Sequence, residues 1–171
     1  MALAALPRIA ILDVDYRGEG AVAACVIAEG WEAAAPASEH IAHIANVAPY
    51  VPGRFFEREM PCLLAVLASL PRRPEVIVVD GQVWLDELRP GLGARLHEAL
   101  GGAVPVVGVA KTRYRGAPAL EVCRGESRKP LFVTAIGMPA DEAARQVGAM
   151  RGAHRVPSLI TRADRLARTG G

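Results

Sequence analysis

The chain reads as short apolar runs separated by turn residues, and the runs change character along its length. Residues 8–14 (RIAILDV) are almost continuously apolar and carry Asp13 near their end, the pattern of a strand buried on both faces. Arg17-Gly18-Glu19-Gly20 supplies turn chemistry, and residues 21–28 (AVAACVIA) predict a second strand paired with the first as a hairpin. Gly30 closes that strand, and residues 31–35 are expected to add a third antiparallel strand. From Pro36 to Gly53 the prolines and the absence of a period predict a long loop, and long loops in compact domains are often functional.

Helical spacing begins near Phe56. Met60, Leu63, Leu64, Val66, Leu67 and Leu70 form an apolar stripe that Pro71 stops, with Pro61 expected in the first turn or at a kink. Residues 75–80 and 104–110 predict buried strands, with a helix over 91–100 ended by Gly101-Gly102. A strand at 131–135 and amphipathic helices at 140–150 and 157–167 complete the pattern. Buried strands joined through helices imply parallel pairing in this second part. The expected architecture is one α/β domain over residues 1–171. Its mixed sheet starts antiparallel, continues parallel and carries helices on both faces.

Composition narrows the class. With 51% apolar and 22% charged residues the chain fits a folded, soluble domain and not a disordered one. The net charge of +2 says little about partners. Lys111, Arg113, Arg115, Arg124, Arg128 and Lys129 do cluster in one stretch, which suits phosphate binding and equally suits a solvated loop-and-hairpin surface. Cys25, Cys62 and Cys123 are widely spaced in apolar contexts and read as buried free thiols. They are consistent with a cytoplasmic protein, as is an N-terminus that shows no charged leader. No run is long enough to span a bilayer, so no membrane partner is expected. His40, His43, His97 and His154 lack metal-ligand spacing, although His40 and His43 would share a face on a helical turn. Serine-hydrolase, P-loop and dinucleotide-binding glycine motifs are all missing.

The chemistry lies in three acids. Asp13 and Asp80 end buried strands, and Glu59 stands near the start of the first helix. Meeting at one point, they would form the oxygen-rich site that Mg²⁺ prefers, and such an ion serves phosphodiester displacement. Asp15, two residues beyond Asp13, is a second candidate ligand or a turn residue. Lys111 follows a buried strand and would suit a scissile phosphate. Tyr50 sits in a rigid Pro-Tyr-Val-Pro-Gly turn, suited to an aromatic wedge or a stacking platform, or to packing beneath the loop.

Taken in register, Pro49-Tyr50-Val51-Pro52-Gly53, Arg58-Glu59-Met60-Pro61, Val79-Asp80-Gly81 and Gly108-Val109-Ala110-Lys111 resemble the endonuclease V family. Arg155-Val156-Pro157 and Thr161-Arg162-Ala163-Asp164 add a weaker match. The resemblance implies an RNase H-like fold and a Mg²⁺-dependent endonuclease, with Mn²⁺ as a substitute. Its partner would be DNA or RNA carrying a deaminated purine such as inosine, its role nucleic-acid repair or processing, and its state monomeric. Asp13 and Asp80 would bind the metal directly and Glu59 through water, while Lys111 would contact the phosphate. Tyr50 would be the wedge, with Pro52 and Gly53 in the same turn. Gly81, Gly91 and Leu92 would line the base pocket, and Arg113 would add a nucleic-acid contact. Extrusion of the base follows from the need to inspect its edge. The chain departs from the family pattern in carrying Gln82-Val83-Trp84-Leu85-Asp86-Glu87-Leu88-Arg89 after the third motif, and Ile136 where the family places a histidine. These departures leave a non-catalytic nucleic-acid-binding relative as the alternative, with Asp86 a candidate replacement ligand.

Overall fold

A computed structural model describes residues 4–170. Seven strands form one sheet: β1 (Arg8–Arg17), β2 (Gly20–Glu29), β3 (Ser38–Ile44), β4 (Val76–Asp80), β5 (Val106–Ala110), β6 (Leu120–Val122) and β7 (Leu131–Ile136). Their order across the sheet is β3-β2-β1-β4-β5-β7-β6. Four helices accompany them: α1 (Phe55–Ala68), α2 (Leu92–Ala99), α3 (Ala140–Ala149) and α4 (Ser158–Thr169).

The alternation of a strand sends successive side chains to opposite faces, and here both faces are apolar. Ile9, Ile11, Val76, Val78, Val107 and Val109 pack with Ala143 and Val147 of α3 and with Leu159, Ala163 and Leu166 of α4. Ala10, Leu12, Ile77, Val79 and Val106 pack on the opposite side with Cys62, Leu63 and Val66 of α1 and with Leu92, Ala94 and Leu96 of α2. This two-sided burial explains the near-continuous apolar runs. The mixed sheet covered on both faces is the expected architecture.

Five expectations need correction. The third antiparallel strand is not residues 31–35 but Ser38–Ile44, inside the segment read as a loop. Gly30 reverses the chain with φ +91°, Trp31 turns into the core, and pairing resumes only beyond Pro36, which has no N–H to give a ladder. His40 and His43 therefore lie on a strand, three residues apart and on opposite faces, with no shared helical face. Pro61 stands in the second turn of α1, which excludes the first of its two expected places, the first turn, and leaves the kink untouched. Finally, parallel pairing holds only for β1-β4-β5; β7 runs antiparallel to β5, and β6 antiparallel to β7. No helix intervenes between β5 and β7 to carry a crossover, and the brief β6 was too short to signal itself. Cys25 and Cys62 are buried free thiols, whereas Cys123, just past the edge strand β6, is exposed.

Among the described residues no helix is long and apolar enough to cross a membrane.

Candidate active site

Parallel pairing of β1 with β4 ends at Leu12 opposite Val79, so one step further brings Asp13 beside Asp80. Neighbouring strands lie about 4.8 Å apart. Asp13 shares the face of Ile9 and Ile11, and Asp80 that of Val76 and Val78, so both carboxylates leave the sheet on the α4 side. Pairing of β4 with β5 sets Asp80 opposite Val109, and Lys111 follows two residues later on the same face. A cavity of about 110 Å³ gathers these groups: Asp13, Asp80, Lys111, Thr161 and Asp164 border it.

Asp164 is the acid that sequence reasoning passed over, although it stands in the quoted Thr161-Arg162-Ala163-Asp164. The signal was its place in α4. It falls one turn after Ile160 and one turn before Arg168, at the border of the buried stripe of Leu159, Ala163, Leu166 and Ala167. Its side chain borders the same cavity as that of Asp13 and accepts Arg168 Nε at 3.1 Å.

Glu59 approaches from the other face of the sheet, carried by α1, and is 6% exposed. Its Oε2 is buried with no hydrogen-bond partner among the described residues. Next to it Arg58 lies over the Tyr16 ring at 4.0 Å, and Tyr16 meets Phe55 edge to face at 6.3 Å.

The electrostatics follow from crowding acids in a place with little water. Burial, followed by the nearby charges of Asp13 and Asp80, pushes Glu59 up to about 8. Asp13 rises to about 7, chiefly through burial, with repulsion from Asp80 and Asp164 added and the Val14 backbone N–H opposing. Asp80, at the more open rim, is also raised by its enclosure and by Asp164, against the pull of Lys111. Unpaired buried carboxylates are costly, and a cation among them removes the cost.

The remaining candidates divide. Tyr50 projects from the loop before α1 and is 61% exposed, with Pro52 and Gly53 exposed beside it. Gly81 has φ +127° and open space where a side chain would stand. Gly91 and Leu92 are buried at the start of α2. A Cβ at Gly91 would come within 2.6 Å of the Gln82 carbonyl, so that glycine serves close packing within the chain. Arg113 pairs with Glu121 at 3.1 Å on the surface. Asp15 is drawn off by Arg17 at 3.1 Å. Asp86 is not a replacement ligand: its Oδ1 accepts the backbone N–H groups of Leu88 and Arg89 at 2.9 and 2.8 Å, the work of a turn residue, and it does not border the cavity.

Gly108 holds the third motif in place. A Cβ there would stand 2.5 Å from the Gly81 carbonyl and 2.9 Å from the Val83 nitrogen, so only glycine lets the chain after Asp80 cross β5 this closely. The Val83 N–H then donates to Thr134 Oγ1 on β7 at 2.8 Å.

Mixed pairing, acids at the tips of adjacent parallel strands and a further acid on the closing helix place this domain among the RNase H-like folds. The endonuclease V from Streptomyces avermitilis superposes with a TM-score of 0.78 at 28% identity, covering 99% of this chain and 86% of that one. The Ciona intestinalis endonuclease V, solved with a 23mer DNA containing an inosine followed by a ribo-adenosine, gives 0.80 at 19% identity, over 96% and 85%. Endonuclease V of Xanthomonas campestris pv. campestris is 36% identical over 115 residues, 66% of this chain. The chain spans about half the length of the curated relatives it matches, 48% in that case. The Endonuclease V family profile matches residues 3–138, and the chain belongs to that family, a family of nucleases.

Proposed function

We propose that this chain is a divalent-metal-dependent endonuclease that hydrolyses a phosphodiester near inosine in DNA or RNA. The observation that carries the reading is the convergence of Asp13, Asp80, Lys111 and Asp164 on one cavity from three strands and a helix.

The donor set suits Mg²⁺ or Mn²⁺. Among the described residues no three acidic, histidine or cysteine side chains stand close enough to hold an ion by themselves. Mg²⁺ commonly takes one or two carboxylates and completes its shell with water and substrate phosphate oxygens, so the proposed ion would rest on Asp13 and Asp80. The raised acids and the unpartnered Glu59 Oε2 are oxygens in want of a cation. Asp13 and Asp80 would hold the ion, with Glu59 and Asp164 acting on its water ligands. Once bound, it would lower the pKa of water and neutralise charge on the phosphate.

The chain's own groups supply the rest. Lys111 brings a positive charge to the Asp80 side of the cavity, where a non-bridging phosphate oxygen would sit. Tyr50, exposed on its proline-bound turn, would fill the gap left by an extruded base. The open backbone at Gly81, next to the metal-binding acid, would let that base approach.

Incubating labelled single-stranded DNA and RNA oligonucleotides, each with one inosine, in Mg²⁺ or Mn²⁺ tests the reading. A cut 3′ of the inosine that vanishes in Asp80→Ala supports it. Inosine-selective binding without any cut would make the chain a binding protein on a nuclease scaffold.

A further inference from the structure

We propose that Arg155 is a positioning residue for Lys111, acting through the lysine's backbone, and that Arg124 holds Arg155 for this task. The inference rests on the role assigned to Lys111 above.

The antiparallel ladder between β5 and β7 ends at Ala110 opposite Phe132. The register would next set Lys111 opposite Leu131 and Thr112 opposite Pro130, but the pairing stops at Ala110. Pro130 has no N–H to offer Thr112, so the ladder cannot continue past this point. Arg155 takes over at this point. Its Nη2 donates to the carbonyl of Lys111 at 2.5 Å and to that of Pro130 at 2.7 Å, bridging the two strand ends where the sheet can no longer do so. A planar guanidinium is suited to this, because its donors stand in a fixed fork. Val156, the next residue, borders the catalytic cavity with Leu131, so the loop that carries Arg155 is also a wall of the site.

That loop has little regular structure of its own, and Arg124 organises it. Arg124 is buried, and its guanidinium donates to the carbonyls of Met150, Gly152, His154 and Arg155, with 2.7 Å to His154 and 3.3 Å to Gly152. The carbonyls from the end of α3 to the start of α4 thus converge on one cation. The result is a relay from Arg124 to the 150–155 loop, to Arg155 and to the backbone of Lys111. Among the described residues no carboxylate pairs with either guanidinium; both donate to backbone oxygens, which fixes chain geometry.

A lysine that must meet a phosphate oxygen gains from a fixed backbone, since misplacement by about 1 Å can cost on the order of 100-fold in rate. The test is a double-mutant cycle on single-turnover cleavage of an inosine oligonucleotide, with the oligonucleotide Kd measured in Ca²⁺ and folding followed by thermal melting. We expect Arg155→Ala to slow cleavage roughly 10- to 100-fold with less than about threefold change in Kd. It should have no further effect in a Lys111→Ala background. Arg155→Lys, which keeps the charge but loses the fork and is the safer variant for folding, should fall between wild type and Arg155→Ala. Additive effects of the two substitutions, or wild-type rates in both Arg155 variants, would overturn the inference. A wild-type protein that binds but never cuts would instead remove the reading on which it stands.

Discussion

Asp164 on α4 and Asp13 on β1 face each other across the helix–sheet interface, where both border one cavity. Burial and mutual repulsion favour the protonated forms of Asp13 and Glu59, so a cation bound among these acids would displace protons.

Stability should therefore depend on pH in an unusual direction. Asp13 and Glu59 are raised to about 7 and about 8, above the values they take in the unfolded chain. The native state then binds more protons than the unfolded one above pH 4. The stabilisation is complete at low pH and is lost as pH rises through 7 and 8. In EDTA, raising pH from 5.5 to 8.5 should cost at least about 2 kcal/mol, or roughly 5 °C in Tm. Millimolar Mg²⁺ should recover most of that loss at pH 8.5 and little at pH 5.5. Flat melting curves in EDTA would contradict this account.

Glu59→Gln removes one of the crowded charges while keeping the shape. At pH 8.5 and without metal it should melt higher than wild type. Its cleavage should fall by on the order of 100-fold if Glu59 orders the attacking water. Loss of both stability and activity would mean that Glu59 serves the α1 packing instead.

Asp164→Asn tests the acid that the sequence reading missed. The variant should bind Mg²⁺ more weakly by isothermal titration and cleave about 100-fold more slowly. Unchanged Mg²⁺ affinity would confine Asp164 to helix packing and its pair with Arg168.

Tyr50→Ala should leave Tm within about 1 °C, since the ring is largely exposed and supports no core. Binding to an inosine oligonucleotide should weaken by about 1–3 kcal/mol, the worth of an aromatic–base stack. If inosine preference survives intact, the wedge assignment fails.

Gly108→Ala places a methyl group against the Gly81 carbonyl and the Val83 nitrogen. Expected is a destabilisation of about 1–3 kcal/mol. Cleavage should fall further than stability does, because the displaced segment begins at Asp80. Equal losses in denaturant midpoint and rate would reduce Gly108 to ordinary packing.

Much of this was legible in the chain because burial on both sheet faces writes itself as apolar runs. Asp13, Asp80 and Lys111 each end such a run, so their shared face followed once the register was known. β3 was not legible, since it is half-buried and rich in Glu39, His40 and His43, and its alternation is faint beside the prolines. Asp164 was hidden for the opposite reason. An acid on an amphipathic helix looks like a solvated face until the helix is seen to lie over two strand-end carboxylates. The arginine relay had no sequence signal at all, because backbone carbonyls as partners leave no mark in the side-chain pattern.

The dispersal of the acids over residues 13, 59, 80 and 164 also has a kinetic consequence. The site exists only after β1 has closed onto β4 across the intervening hairpin, loop and helix, and after α4 has docked on β1. Contacts between such distant segments form slowly, since the loop-closure cost precedes the reward. Local elements such as the β1–β2 hairpin can appear early and still present no cluster of acids. A chain still on its way to the native state thus presents no cluster of acids to nucleic acid, and on the proposed reading any capacity to cut would arrive together with the finished fold.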